Sequence, residues 1–258
     1  TSNTPLPDSS AGQKIKATRW GAIVTGAGSG DAIENIAPVR SSRVEGPGAC
    51  RISKFSTNRA ATICMRREGT CDDRTMRDDA ERWDARYRGA ISGDPEMPKG
   101  LGGIELERGR CLDVACGLGG QSLWAAQQGY DVVALDVSPV AITALNAAAM
   151  SLGLRDRIET HVVDLDGGLP ADLAGACQLV ICQRFRGVDL YQQLVYMLAP
   201  SGVLVVTVLS KVGASGDAGP FHAEPGELVC ELRDHDVDIL RSVELDGEAT
   251  IVARRASD

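Results

Sequence analysis

The feature that most constrains this chain is the form of its apolar runs between residues 109 and 209. VVALD, QLVIC and VLVVTV carry apolar side chains at successive positions rather than at alternate ones. A strand of that kind is buried on both faces, and a parallel sheet covered by helices on both sides supplies such burial. Between the runs lie stretches long enough for two to four helical turns, so strand and helix alternate. The pattern predicts strands near 109–115, 131–136, 158–163, 178–183 and 202–209, and helices near 120–128, 138–152 and 188–198. Gly129 stands where the first helix needs a left-handed C-terminal residue. Ser138-Pro139 opens the second as N-cap and first helical residue, and Pro200 and Gly202 flank the end of the third. The tail reads as a hairpin, VDILRSVEL and EATIVARR joined by Asp246-Gly247. The expected fold is α/β: a doubly wound, mostly parallel sheet with an antiparallel C-terminal hairpin.

Upstream the character changes. Residues 1–75 are rich in Pro, Ser, Gly, Asn and Arg, without hydrophobic periodicity. They read as a flexible or peripheral extension dispensable to a domain spanning 76–258. Met76 directly precedes MRDDAERWDARYRGA, whose early acids and late arginines suit a helix dipole, and it offers itself as a natural start. Ala80, Trp83 and Tyr87 share one face of that helix.

Two glycine-rich stretches compete as a nucleotide cradle. AIVTGAGSGDA, residues 22–32, has the spacing of a nicotinamide-binding loop, but Pro38 interrupts the helix that should follow. No second strand with a ribose-binding acid comes about 20 residues later. This stretch is expected to have no nucleotide role, although AIVTG is apolar enough to pair on a sheet edge. CLDVACGLGGQS, residues 111–122, has the right surroundings: a strand, Gly117 and Gly119, a helix, then a strand ending in Asp136. A dinucleotide site shares those features. Ser122 in place of a third glycine, Asp113 before the loop and Asp164 ending the third strand, in HVVDLD, tilt the balance away from it.

LDVACGLGG, VVALD and HVVDLD together resemble the class I S-adenosylmethionine-dependent methyltransferases. ERWDARY, SLWAAQQGYDVVALDVSP, LAPSGVLVVTV and EPGEL extend the likeness to the tellurite-resistance-type branch, over about residues 79–253. Ala115 stands where that family usually has glycine, and residues 184–224 match only loosely. The resemblance implies S-adenosylmethionine as cofactor. Gly117 and Gly119 would lie along its methionine and ribose, Asp113 would face its amino group, and Asp136 would take the ribose hydroxyls. Asp164 and Leu165 would hold the adenine. Trp83, Arg86 and Tyr87 would cover the site, with Ala115, Val137 and Gln183 completing the contacts. CQRFRG places Arg184 and Arg186 where acceptors enter, suited to an anion. His222 is the candidate base should the acceptor lose a proton, and His161, on a strand expected to be buried, is structural.

Charge narrows the acceptor. Residues 1–75 hold 11 Lys/Arg against 7 Asp/Glu, whereas residues 76–258 hold 16 against 28. An acidic body disfavours a nucleic-acid substrate gripped by its phosphates, and no Asn-Pro-Pro-aromatic motif for base amino groups is present. No apolar run reaches the roughly 18–20 residues that cross a bilayer. Eight cysteines without a CxxC pair read as buried free thiols of a reducing compartment, with no metal site. The expectation is a soluble, cytoplasmic methyltransferase acting on an oxygen, sulfur or metalloid centre of a small molecule. The alternatives are an NAD(P)-dependent Rossmann oxidoreductase and a non-catalytic member that binds cofactor or partner. The acceptor and the oligomeric state are not readable.

Overall fold

The computed structural model describes residues 23–25 and 73–257, except 91, 188, 217 and 220. Eight strands form one sheet: β1 (Ile23–Thr25), β2 (Arg110–Val114), β3 (Asp131–Asp136), β4 (Ile158–Val162), β5 (Cys177–Gln183), β6 (Leu198–Leu209), β7 (Val237–Leu245) and β8 (Glu248–Arg255). The helices are α1 (Asp73–Tyr87), α2 (Gly120–Gln127), α3 (Pro139–Ser151), α4 (Leu190–Met197) and α5 (Glu227–Leu232). The strand order is β1-β7-β8-β6-β5-β2-β3-β4. β8 runs antiparallel to both its neighbours, and every other pairing is parallel. The doubly wound sheet with its antiparallel C-terminal hairpin is thus present, with the last strand inserted between β6 and β7.

Alternate residues of the central strands feed two cores. Leu123, Ala126, Ile142 and Leu145 of α2 and α3 pack with Cys111, Leu179, Ile181 and Val205 on one face. Tyr191, Leu194 and Met197 of α4 and Leu228 and Leu232 of α5 pack with Leu112, Val180 and Val206 on the other. Each fully buried Leu or Ile contributes about 1.5–3 kcal/mol over its exposed state. Continuous apolar strands are what two-sided burial requires.

The local signals act as expected at both ends of the helices. Ser138 Oγ accepts from the Ala141 amide at 3.1 Å, with Pro139 as the first helical residue. Gly129 (φ 93°) ends α2 in a Schellman arrangement, with Tyr130 N–H on Ala125 O and Gly129 N–H on Ala126 O. Asp246 and Gly247 both have positive φ, as a two-residue turn between twisted strands needs. Cys111, Cys116, Cys177 and Cys182 are buried free thiols.

Three expectations change, and one helix was not expected. β4 is the outermost strand, so only one of its edges is paired, and its burial does not continue beyond Ile158. His161 is therefore exposed, with Nε2 at 2.9 Å from Glu159, rather than a core residue. β6 begins at Leu198 directly after α4, so Pro200 and Gly202 lie within the strand; Ser201 at φ 62° accommodates the irregularity. α1 begins at Asp73, so a boundary at 75/76 falls inside a helix. The stretch after EPG forms the short helix α5. In the upstream region, Ile23–Thr25 pairs in parallel with Ser242–Glu244 of β7, whereas Gly26 and Gly30 of that glycine stretch lie outside the described residues.

Candidate active site

The connections from β2 lead to β3 and β4 on one side, and those from β5 lead to β6 on the other. The carboxyl ends of β2 and β5 therefore border a crevice, the usual ligand position of an open α/β sheet. The loop leaving β2 turns sharply through Ala115 (φ 55°), Gly117 (φ 52°) and Gly119 (φ 80°). The left-handed conformation at Ala115 explains why glycine suits that position, since a side chain there is strained by roughly 1–3 kcal/mol. A methyl group on Gly119 would stand 2.8 Å from Leu145 Cγ. One on Gly117 would stand 2.9 Å from the Tyr87 hydroxyl. One glycine thus lets α3 approach the loop, and the other leaves a space that Tyr87 covers.

Two acids flank this loop. Asp113 is buried and accepts from Ser122 Oγ at 2.5 Å. Burial pushes its carboxyl up to about 7; the Ser122 hydrogen bond opposes that rise, and the neighbouring Asp136 adds to it. Asp136 accepts from Gly117 N–H at 2.8 Å through Oδ2 and from Ser138 N–H at 2.9 Å through Oδ1. Burial raises its pKa, backbone N–H groups of Ser138, Gly117 and Val137 counteract it, and the Asp84 charge raises it further. The two oxygens have about four acceptor sites between them, which leaves capacity for a ligand hydroxyl. Cys116, beside these acids, has its thiol pushed well up by burial and by both carboxylates, so it remains protonated and inert.

The cover is α1. Trp83 and Tyr87 stack at 5.8 Å between centroids, and Arg86 lies 5.8 Å from the Trp83 ring. Burial, then Asp136 and Cys116, push the Tyr87 phenol up to about 12, so it stays a neutral donor. The helix is pinned by Asp84, a residue not singled out from sequence. Its Oδ1 accepts from Ser138 Oγ at 2.5 Å and from Val140 N–H at 3.3 Å, at the N-terminus of α3. An acid in the last turn of α1 opposes that helix's own dipole, and this mismatch was the signal that it had a partner elsewhere. Ser138 therefore joins the cover, the α3 cap and Asp136.

The remaining candidates divide. Asp164 lies two residues beyond β4 and caps the turn Leu165–Gly167, accepting from Asp166 N–H at 3.0 Å, while Leu165 packs partly buried on the core. Gln183 ends β5 in a row with Thr207 and Thr250 across three strands, and its Nε2 is buried without a hydrogen-bond partner. Arg186 is not displayed to an anion. Glu227 holds it through two 2.7 Å hydrogen bonds, Nε to Oε1 and Nη2 to Oε2, which tie the loop after β5 to α5. Burial would raise the Glu227 carboxyl, but the Arg186 hydrogen bonds lead the effects that bring it below its ordinary value. Arg184 (φ 60°) is exposed and turns to Glu248, which also binds Lys99. His222 Nδ1 accepts from Gly219 N–H at 3.1 Å. A neutral ring so held carries its proton on Nε2 and donates there rather than accepting.

These residues fit an S-adenosyl ligand: a cradle in which an added methyl at Gly117 or Gly119 finds no room, buried acids on both sides, and an unpartnered amide at the end of β5. The comparisons agree. Residues 111–202 match the model of a family described as a methyltransferase domain. The chain is similar to the ribosomal RNA small subunit methyltransferase C of Alcanivorax borkumensis, 31% identical over 106 residues, covering 37% of this chain and 31% of that protein. The chain thus spans about a third of the length of the curated relative it matches. Among solved structures it is similar to the geranyl diphosphate C-methyltransferase of Streptomyces coelicolor A3(2), determined with Mg2+, geranyl diphosphate and S-adenosyl-L-homocysteine. There the identity is 15%, the coverage 70% of this chain and 97% of that one, and the TM-score 0.54. It is also similar to the [4+2]-cyclase SpnF, at 20% identity, 59% and 77% coverage and a TM-score of 0.50. The methyltransferase-domain match over residues 111–202 implies S-adenosylmethionine as the cofactor. Among the described residues no helix is long and apolar enough to cross a membrane.

Proposed function

We propose that the chain is an S-adenosylmethionine-dependent methyltransferase of the cytoplasm that acts on a small-molecule acceptor. The observation that carries this reading is the pair of buried acids, Asp113 and Asp136, on either side of the Gly117–Gly119 loop. Asp113 ionises against the ammonium of the methionine portion. Asp136 orients the ribose hydroxyls with its free lone pairs, and Asp164 with Leu165 borders the adenine. Gly117, Gly119, Ala115 and Val137 supply backbone surface, and Gln183 gives its amide to the ligand. Trp83, Arg86 and Tyr87 close over it. When bound, S-adenosylmethionine supplies a methyl group already activated on a sulfonium. The protein's part is alignment and exclusion of water, which can account for much of the barrier reduction. His222 serves by donating a hydrogen bond, and the acceptor reaches the site between α1 and the loop after β6.

The motif set keeps the sequence resemblance to the tellurite-resistance-type branch. The acidic body favours a small acceptor over the RNA named for the curated relative. Two titrations of the full chain, one with S-adenosylhomocysteine and one with NAD, test the cofactor, and an acceptor screen with labelled methyl donor tests turnover. Binding of NAD in preference to S-adenosylhomocysteine would reject the reading. Cofactor binding with no labelled product from any small acceptor would leave a non-catalytic binding protein.

A further inference from the structure

The chain has ten aromatic residues, 3 Trp, 4 Tyr and 3 Phe, and three of them line up over the candidate site. Tyr87 covers Gly117, Trp83 stacks on Tyr87, and the guanidinium of Arg82 lies 5.7 Å from the Trp83 ring and 5.8 Å from that of Phe221. Arg86 lies on the Trp83 ring as well. A continuous row of rings and guanidinium groups therefore leads from the glycine loop to the segment between β6 and α5. Phe221 is 61% exposed, so its ring is open to a ligand.

The segment that presents Phe221 is tied at both ends. Ser210 Oγ donates to Glu244 at 2.6 Å, Lys211 pairs with Glu224, Gly226 N–H donates to Glu244 at 2.8 Å, and Arg186 holds Glu227. Its tip is thus directed at α1 by the fold. The arginines first expected to meet an acceptor are engaged elsewhere, Arg186 with Glu227 and Arg184 with Glu248. Arg82 and Arg86, both exposed on α1, are the guanidinium groups that lie beside Trp83. Arg82 also contacts Asp79 at 2.9 Å, a solvent-exposed pair of little strength.

Guanidinium groups stack on aromatic faces and pair bidentately with carboxylates. A planar ring that displaces Arg82 from its place against Phe221 and Trp83 would meet π faces, and an acidic substituent on it would meet the displaced Arg82 and Arg86. A cationic acceptor would meet two like charges. We infer that the methyl acceptor is a planar aromatic acid, held by Phe221 and Trp83 through its ring and by Arg82 and Arg86 through its carboxylate. This inference rests on the proposed methyltransferase reading.

The test uses the full chain saturated with S-adenosylhomocysteine and three probes: 4-hydroxybenzoate, 4-hydroxybenzamide and tyramine. Calorimetry should show the anion binding at least tenfold more tightly than the neutral amide, and tyramine weakest. Phe221→Leu, at an exposed position, should weaken 4-hydroxybenzoate about tenfold while S-adenosylhomocysteine affinity holds. Arg82→Gln should shrink the preference of anion over amide to about threefold. Equal binding of the three probes, or no binding of any, with normal S-adenosylhomocysteine affinity overturns this inference and leaves the methyltransferase reading standing. Loss of S-adenosylhomocysteine binding by the unaltered chain removes both.

Discussion

The two halves of the candidate site are built in different ways. On the cofactor side, strand, glycine loop, helix, strand and terminal acid follow one another within residues 110–136. Backbone amides, glycines and buried acids do the work there. On the proposed acceptor side, the residues come from remote segments: Arg82 of α1 meets Phe221 after β6, and Arg186 after β5 meets Glu227 of α5. Those groups are long, largely polar side chains. The cradle is thus fixed by backbone geometry, whereas the mouth is set by side chains that another sequence on the same sheet could replace. One methyltransferase and one [4+2]-cyclase among the similar structures illustrate that latitude.

That contrast predicts the largest effects in the cradle. Gly119→Ala places a methyl against Leu145 in a left-handed conformation. It should destabilise the chain by about 3 kcal/mol, from overpacking and backbone strain together. Urea denaturation measures this, and a change below about 1 kcal/mol would show that the loop is softer than its geometry implies. Asp136→Ala removes a doubly engaged carboxylate and should weaken S-adenosylhomocysteine binding by about 1.5–3 kcal/mol. Unchanged affinity in calorimetry would contradict the ribose assignment.

The pH response sharpens the same half. Asp113 has a folded value near 7 against an ordinary 3.8. The folded, ligand-free chain therefore binds a proton that the unfolded chain has lost, and this contribution to stability is lost as pH rises from about 4 to about 7. A ligand ammonium requires the ionised carboxylate. Affinity for S-adenosylhomocysteine should thus rise as pH increases toward 7 and level off above about 8. The slope should flatten in Asp113→Asn, and a wild-type profile that is flat between pH 5.5 and 8 would rule the coupling out.

Smaller effects belong to the connections between the halves. Asp84→Ala removes the second cap of α3 and the anchor of α1. It should cost about 1 kcal/mol of stability and loosen cofactor binding several-fold, with faster hydrogen exchange in residues 78–90. Exchange unchanged there would mean that Asp84 does not hold the cover. The least effect is expected from a chain beginning at Asp73. It loses only the short β1 pairing among the described contacts, so its melting temperature should fall by no more than about 4 °C, with cofactor affinity kept. A tenfold loss of affinity would bring the upstream segment into the working fold.

Much of the cradle was legible because its signals are local. The Ser138-Pro139 cap, Gly129, the Asp246-Gly247 turn and the acids near the carboxyl ends of β2, β3 and β4 are each encoded within a few residues of where they act. Arg186 misled for the opposite reason. An arginine after β5 looks available to substrate, and only the return of α5, 41 residues later, supplies Glu227. Phe221 gave no periodic signal, because a loop side chain has no period. His161 was misplaced because burial of a strand depends on whether another strand follows outside it.

The sequence alone determined the alternating elements, their caps and the glycine loop, since backbone periodicity and left-handed positions depend on neighbouring residues. Tertiary structure alone decided the insertion of β8 between β6 and β7, the exposed edge at β4, the anchoring of α1 on Ser138 and the meeting of Arg82 with Phe221. These depend on which distant segments close against one another. That choice follows from the packing of two helical layers on a twisted sheet, and the spacing of residues along the chain does not encode it.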